Sequence, residues 1–426
     1  EQVSVTDSFF AMGGDSIMSI QLSSAARAAG LAISPRDIFE RRTVRALARA
    51  AMETASSSSL LPEPPGGSVG PTPLPPIVAW MIEHSDSADD FADLSQSVIL
   101  RAPQGLTAEQ LRTVLAAVVE THPMLSARLS ESGTGWQFIA GEPFDAVSAV
   151  SETSAIAADP TVADGPSHDS LRAAFRDASG QLDPAAAKLV HAVIVRAGAG
   201  DDRVVLVAHH LAVDAVSWRA IVEDLVTAWA QWCEGRPIAL RPESTSARAW
   251  MTELAAHAAD HVEETGYWLD RLPERATDFG VELDRGRDRE HNTVSTEVRV
   301  DAAVAEALLT RVPEAFGGSV EDALLAGLAR AVRSWQHDRG IADRGPVQVL
   351  LEGHGRYDEA TRDQADLSRT VGWFTSIAPI NLAVHQSISH TVKAVKEERL
   401  GRPRRGIGFG LLRYGNLTGA GDELTR

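Results

Sequence analysis

Residues 55–76 read ASSSSLLPEPPGGSVGPTPLPP. Serine, glycine and proline dominate, and no apolar period survives, so neither a helix nor a strand is expected to run through this stretch. Such a segment behaves as part flexible coil and part stiff polyproline. It predicts a small body before the break and a larger one after it, joined by a linker at residues 55–72. The alternative is a surface loop within one domain. The change of composition on both sides argues for the linker.

The 426-residue chain as a whole is 44% hydrophobic and 23% charged, as in ordinary globular proteins. Aromatic residues make up only 5%, so the cores must rest on Ala, Val and Leu. The formal net charge of −18 argues against nucleic acid, whose phosphates need a basic field. It also argues against an anionic membrane surface. No apolar run approaches the ~20 residues of a membrane span, and the opening residues do not read as a signal peptide. The single cysteine, Cys233, excludes an intrachain disulfide and suits a reducing compartment, so a cytoplasmic location is expected.

Before the linker, residues 17–29 have helical spacing and stop at Gly30, a C-cap residue. Ser34 and Pro35 open a second helical stretch toward Arg49, with proline in the first turn. After the linker the pattern alternates. Residues 111–120 read as a helix, and 189–196 and 204–208 as strands. Residues 217–233 form an amphipathic helix with Ile221, Leu225, Ala228 and Trp229 on one face. Residues 320–332 form another, with Ser319 as its N-cap. Residues 347–351 are again a strand. No internal repeat occurs.

Two of these strands end in reactive side chains. Residues 204–208 lead into His209 and His210, followed by Asp214 and Trp218. Residues 347–351 lead into EGHGR, Glu352 to Arg356. Neighbours on a strand point to opposite faces, so the two histidines cannot share one site unless the backbone turns. Adjacent histidines on an extended chain chelate a single ion poorly, and no zinc spacing recurs. His354 shares a strand face with Glu352, but no metal is expected. Acid–base chemistry is the other reading, since histidine titrates near neutrality and a carboxylate from a second strand end would complete a pair. Asp214 is near enough to lock the loop as a strut. Spacing alone leaves catalysis and a structural role both open. Near the N-terminus, Gly13 and Gly14 allow a tight path before a helix. Ser16 then falls where free N–H groups and the helix dipole suit a phosphate ester, or where a serine merely caps.

The longer strings carry more information. DSFFAMGGDSI resembles the attachment motif of peptidyl carrier domains from nonribosomal peptide synthetases. By that resemblance Ser16 carries 4′-phosphopantetheine, with Gly13, Gly14 and Asp15 as its motif. Asp15 is the form typical of carriers that serve epimerization domains. HHLAVDAVSW resembles the His-His-x-x-x-Asp motif of condensation and epimerization domains, and Trp218 favours epimerization. EDALLAGLARA (321–331), EGHGR (352–356), RTVGWFTSIAPINL (369–382) and RRGIGFGLLRY (404–414) resemble further motifs of that family, in order.

The resemblance implies a multidomain chain. A small all-α carrier bundle occupies 1–54, incomplete at its start. Two chloramphenicol-acetyltransferase-like α/β lobes, 73–240 and 241–426, form a V with a central tunnel. The second lobe is incomplete, because a seventh motif with an Asn-Tyr pair has no match. The implied activity is epimerization, L to D, of the α-carbon of an aminoacyl or peptidyl thioester on the carrier's phosphopantetheine. His210 and Glu352 are then the catalytic pair, and His209, Asp214 and Arg356 support the site. Arg356 orients Glu352 or pairs with Asp214, for which Arg128 is another candidate. Gly372, Trp373 and Phe374 lie at the tunnel wall or in the core. The string Arg402 to Arg405 receives the carrier or is a solvated loop. The implied partners are the carrier-bound thioester, neighbouring adenylation and condensation modules, and a phosphopantetheinyl transferase, with neither nucleic acid nor membrane. Ala215 stands where the family usually has glycine, which means strain if φ there is positive. Two rivals are a peptide-bond-forming condensation domain and a catalytically silent docking domain that recruits a partner protein.

Overall fold

The computed structural model describes the chain except residues 1–3, 11, 15, 32, 54–60, 133–134, 155–165, 198–200, 273–280, 282–283, 285, 289–291, 342–344, 358–364, 416–419 and 425–426. The N-terminal segment folds into α1 (Ser16–Ala28), α2 (Pro35–Arg41) and α3 (Val44–Glu53). The stretch expected as one helix from Ser34 toward Arg49 is thus two. Ser34 and Asp37 close a capping box at its start. Arg42 takes a left-handed conformation, φ 58°, which a right-handed helix cannot continue. The Thr43 hydroxyl then accepts from the Ala46 amide and starts α3. Ala26, Ile33, Ile38 and Leu47 form the core, with Phe9 and Phe10 packed against it.

The chain divides into two compact units: Ser57–Ala259 with His354–Thr375, and Glu1–Ser56 with Asp260–Gly353 and Ser376–Arg426. The former contains β1 (Gly70–Thr72), α4 (Pro76–Glu83), β2 (Ser95–Arg101), α5 (Ala108–Thr121), β3 (Arg128–Ser132), β4 (Gly135–Ala140) and β5 (Val150–Ser154). It continues through α6 (His168–Ser179), β6 (Val190–Arg196), β7 (Arg203–His209), α7 (Ser217–Cys233) and α8 (Ala247–Ala256). Its main sheet has the order β2-β7-β6-β5. β7 is antiparallel to both neighbours, and β5 runs parallel to β6. Ala174, Ala178 and Leu182, from α6 and the turn after it, pack on Val193, Val195, Val205 and Val207. The alternate residues Ala192, Ile194, Leu206 and Ala208 are buried as well. A strand covered on both faces reads as an unbroken apolar run, hence the lack of alternation in 204–208. α7 has the expected limits and buries Ile221, Leu225 and Ala228.

The expected linker is corrected in its second half. From residue 61 onward it is packed, not free. Leu61 is buried. Glu63 accepts from the amide and hydroxyl of Ser246, at 3.1 and 2.7 Å, at the start of α8. The Arg248 guanidinium donates to the carbonyls of Pro65, Gly67 and Pro71. β1 then pairs with β4 in the antiparallel sheet β1-β4-β3. A proline-rich backbone has few donors to satisfy, so one arginine meeting its carbonyls docks it without any apolar period.

The other unit continues with α9 (Thr265–Leu269), α10 (Ala302–Leu309), α11 (Arg311–Phe316) and α12 (Val320–Asp338). β8 (Val347–Gly353) pairs antiparallel with β9 (Ser376–Leu382), followed by α13 (Ile388–Leu400), α14 (Ile407–Tyr414) and α15 (Ala420–Leu424). Ser319 and Asp322 close a capping box ahead of α12. Val347, Ile380 and Leu382 pack against Leu325, Ala326 and Ala329 of α12 and Val392 and Val395 of α13. Trp268, Phe409, Leu412 and Leu424 make a second cluster. Among the described residues, no helix is long and apolar enough to cross a membrane.

Candidate active site

β7 ends at His209, and the chain turns at once. The amides of Ala212 and Val213 bond back to the carbonyls of His209 and His210, at 2.9 and 3.3 Å. The two imidazoles part company here. His209 is fully buried. Its Nε2 donates to the Phe91 carbonyl at 2.8 Å, and its Nδ1 accepts from the Leu211 amide at 3.2 Å. Burial pushes its pKa down to about 4, so it sits in the core as a neutral, fully bonded ring.

His210 is half-buried. Its Nε2 lies 2.8 Å from the Gln96 amide nitrogen, and its ring lies against Trp373 with centroids 4.3 Å apart. Its Nδ1 is closed off from solvent, with no hydrogen-bond partner among the described residues. Gln96 stands on β2 opposite Ala208. Its Oε1 accepts from the Trp218 indole N–H at 2.8 Å. The sequence singled out His210 and Trp218 but not Gln96. A glutamine on a mixed polar strand carries no local signal, and only the β2–β7 register brings it to His210.

Asp214 and Arg356 form a buried pair, Nη2 lying 2.8 and 3.0 Å from the two carboxylate oxygens. Ser217 donates its amide to Asp214 Oδ1 at 2.8 Å, and its hydroxyl lies against Asp214, Gly372 and Arg356. Arg356 Nη1 donates to the carbonyls of Leu367 and Thr370, at 2.8 and 2.6 Å. This cluster ties the turn after β7 to the segment that carries Trp373. Of the two alternatives for Arg356, the structure has the pair with Asp214. Arg128 is engaged elsewhere, with Glu142 and Ser130. A Cβ at Gly372 would meet the Phe374 ring at 2.8 Å, so glycine is needed for that packing. Trp373 and Phe374 are both buried. Ala215 is not among the residues with positive φ, so alanine brings no backbone strain there.

A second buried network touches the sequence motifs only through Arg369. His122 is held between Asp224 at 2.8 Å and Glu243 at 2.7 Å. Arg369 donates to Asp224 and Glu223, at 2.5 and 2.8 Å. Burial by itself would lower the His122 pKa, but the hydrogen bonds and charges of the two carboxylates outweigh it and hold the pKa above the ordinary value. No neighbour in sequence hints at this contact, because His122 follows α5 and Asp224 lies within α7.

Glu352 stands on β8 opposite Ile377 of β9. It shares the exposed face of the strand with Leu350, while Val347 faces the core. It belongs to the unit that holds β8 and β9, and His210 belongs to the other. His354 accepts from the Arg356 amide through Nδ1 at 3.0 Å and packs on Tyr357. Gly355 has φ +63°, a turn position that excludes most side chains. In the string from Arg402, Arg404 is turned onto His261 and Glu264. Among the described residues, no three His, Cys, Asp or Glu side chains are grouped to hold a metal ion.

At the N-terminal end, Ser16 is the first residue of α1. Gly13 has φ +94°, and a Cβ at Gly14 would run into the Phe9 ring. Asp15 and the side chain of Ser16 lie outside the described residues. A close-packed glycine turn delivering a serine to a helix N-terminus fits a phosphate ester such as phosphopantetheine. The group would be held by Ser16, and it supplies a thiol that carries an acyl group as a thioester.

Residues 73–421 match the family described as Condensation domain, and residues 1–51 match the phosphopantetheine attachment site. The chain is 33% identical over 422 residues to a linear gramicidin synthase polypeptide of Brevibacillus parabrevis, which takes in 97% of this chain and 8% of that protein. It is 32% identical over 431 residues to chondramide synthase cmdD of Chondromyces crocatus, 99% of this chain and 10% of that one. It therefore spans a tenth or less of the length of these relatives. Among solved structures, the epimerization domain from the third module of tyrocidine synthetase B is similar with a TM-score of 0.68 and 25% identity, covering 85% of this chain and 78% of that one.

Proposed function

Because the chain belongs to the condensation-domain family and carries a phosphopantetheine attachment site, we propose that it epimerizes, L to D, the α-carbon of an aminoacyl or peptidyl thioester tethered at Ser16. The observation that carries this reading is the hydrogen-bonded chain Trp218–Gln96–His210. The tryptophan that favours epimerization in the motif is joined through one amide to the histidine whose inner nitrogen has no described partner. The likeness to a solved epimerization domain supports it.

The α-carbon of a thioester is a weak carbon acid. Taking its proton builds negative charge on the thioester oxygen, so the reaction needs a base and a donor in place before charge develops. His210 and Glu352 are the proton-handling pair. Asp214 and Arg356 hold the turn that carries His210, and His209 anchors it to the core. The partners that follow are neighbouring adenylation and condensation modules and a phosphopantetheinyl transferase, in the cytoplasm.

Peptide-bond formation is the second reading, since the family description itself names condensation. One experiment separates the two. The chain is loaded at Ser16 with L-aminoacyl-phosphopantetheine in D2O, with and without an acceptor aminoacyl carrier. Deuterium at the α-carbon and the D/L ratio after thioester cleavage are read by mass spectrometry and chiral chromatography. Deuterium uptake with D-product, lost in His210→Ala and in Glu352→Ala, is the expected result. Dipeptide formation without α-exchange would replace epimerization by condensation.

A further inference from the structure

Both ring nitrogens of His122 lie against carboxylate oxygens, Nε2 at 2.8 Å from Asp224 and Nδ1 at 2.7 Å from Glu243. A carboxylate only accepts, and a neutral imidazole has one N–H to give. The form that satisfies both contacts is therefore the imidazolium. The ring is fully buried, and the Asp224 and Glu243 side chains are 3% and 5% exposed. The charges close as well. Two buried carboxylates, Asp224 and Glu243, are met by two cations, Arg369 and protonated His122, while Glu223, the second partner of Arg369, is 68% exposed. A neutral His122 would leave two buried anions sharing one guanidinium, a costly arrangement. The raised pKa of His122, in which burial is outweighed by the hydrogen bonds to Asp224 and Glu243, agrees.

The same two carboxylates hold one stretch of backbone. Arg369 Nη2 donates to Asp224 at 2.5 Å. The Val371 amide donates, at 2.8 Å, to the Glu243 oxygen that faces His122. Between them the Thr370 hydroxyl donates to the Thr245 carbonyl at 2.7 Å. Two residues after Val371 stands Trp373, whose ring lies against His210. Residues 369–371 thus rest on carboxylates that His122 ties together, and Trp373 follows directly from that footing. We propose that His122 is a positioning residue: as an imidazolium it clamps Asp224 and Glu243, fixes residues 369–371 upon them, and so holds Trp373 against His210. The inference rests on the proposed function only in taking His210 as the reactive side chain.

The clamp sets a pH limit. When His122 loses its proton, one of its two contacts becomes a lone pair facing a carboxylate, the hold on 369–371 weakens, and Trp373 leaves its packing on His210. The loss comes as pH rises through the folded pKa, on the alkaline side of the ordinary histidine value. The charged groups facing His122 are Asp224 from α7 and Glu243 from the chain before α8, with Arg369 beyond Asp224. Those near Trp373 are His210 itself, and Asp214 and Arg356 against the neighbouring Phe374.

The test uses the whole chain. 15N-labelled protein, with the His122 signals assigned by difference from His122→Gln, reports the protons on the ring. Fluorotryptophan labelling, with Trp373 assigned by Trp373→Phe, reports the surroundings of that indole by 19F NMR. At about pH 6.5, the ordinary histidine value, the larger part of His122 should carry a proton on both nitrogens. His122→Gln should shift the Trp373 signal at that pH. It should also lower kcat, for α-proton exchange or for peptide-bond formation, by about 10²-fold, the usual effect of a misplacement of about 1 Å, with KM little changed. Glu243→Gln keeps an acceptor for Val371 but removes one charge, so the alkaline step in the Trp373 signal, and the alkaline limb of kcat with it, should move to lower pH. The step due to His210 persists in both variants and is told apart in that way. A wild-type ring with one protonated nitrogen at that pH, a folded His122→Gln protein with an unmoved Trp373 signal, or a Glu243→Gln protein with the wild-type pH dependence overturns the proposal. If His122→Gln does not fold, the wild-type ring and Glu243→Gln decide. A chain that performs neither reaction refutes the proposed function, while the Trp373 signals still decide the clamp.

Discussion

Replacing Arg356 by methionine should destabilise the unit built on β7 more than a typical charge removal. The Arg356 side chain is 1% exposed and that of Asp214 7%. Methionine keeps an apolar stem over Phe374, whose ring centre lies 4.3 Å from the guanidinium carbon, so little packing is lost. The carboxylate stays behind, buried and unpaired, and removing one partner of such a pair costs about 3–5 kcal/mol. The carbonyls of Leu367 and Thr370 lose a donor in the same step, which places the expected loss at the upper end, about 5 kcal/mol. That is a large part of the ~5–15 kcal/mol that holds a typical domain together. Hydrogen exchange of the β7 and α7 amides reads this unit by itself. Their protection should fall by roughly 10³- to 10⁴-fold, at 1.4 kcal/mol per decade. Asp214→Asn together with Arg356→Met should recover part of the loss, because no bare charge remains. A loss below about 1 kcal/mol, the range of surface pairs, would refute the argument, as would a double variant as unstable as the sum of the singles.

His209 gives a pH signature. Its folded pKa of about 4 lies below the free value of 6.5, so the unfolded chain binds the extra proton first. Stability should therefore fall as pH drops from about 6.5 to about 4, by on the order of 3 kcal/mol, and His209→Gln should flatten that part of a pH series of urea midpoints. His122, with a raised pKa, works in the opposite sense. Its contribution is full below the ordinary histidine value and is lost as pH rises through the folded pKa, visible as a falling urea midpoint that His122→Gln removes. Gly14→Ala should drive a Cβ into the Phe9 ring and cost the carrier segment about 1–3 kcal/mol, and slower gain of the phosphopantetheine mass on intact protein is the readout. Glu63→Ala should uncover the start of α8 by about 1 kcal/mol and speed proteolysis after residue 60.

Much of the local structure could be read from residue order, because it depends on near neighbours. The α7 limits and the glycine turn before Ser16 were legible as spacing and composition, and the two strand ends stood out as abrupt changes from apolar to titratable. The motif strings named the family. Local order also misled where a long-range contact prevailed. The proline-rich half of the expected linker is docked by Arg248 from far along the chain. The helix toward Arg49 breaks at a left-handed Arg42 that no composition rule marks.

The partners of the chemical groups were decided by tertiary structure. His209 and His210 are identical letters in sequence, but a turn sends one into the core and leaves the other beside Gln96. Gln96, Asp224 and Arg356 meet their histidine or carboxylate across more than a hundred residues. The type of each side chain is a property of the sequence alone, and so is the chemistry available to it. Which nitrogen holds a proton, and whether a charge is paired, depends on what the folded chain places around it, since hydrogen bonding acts at about 3 Å and charge and burial act within several ångström.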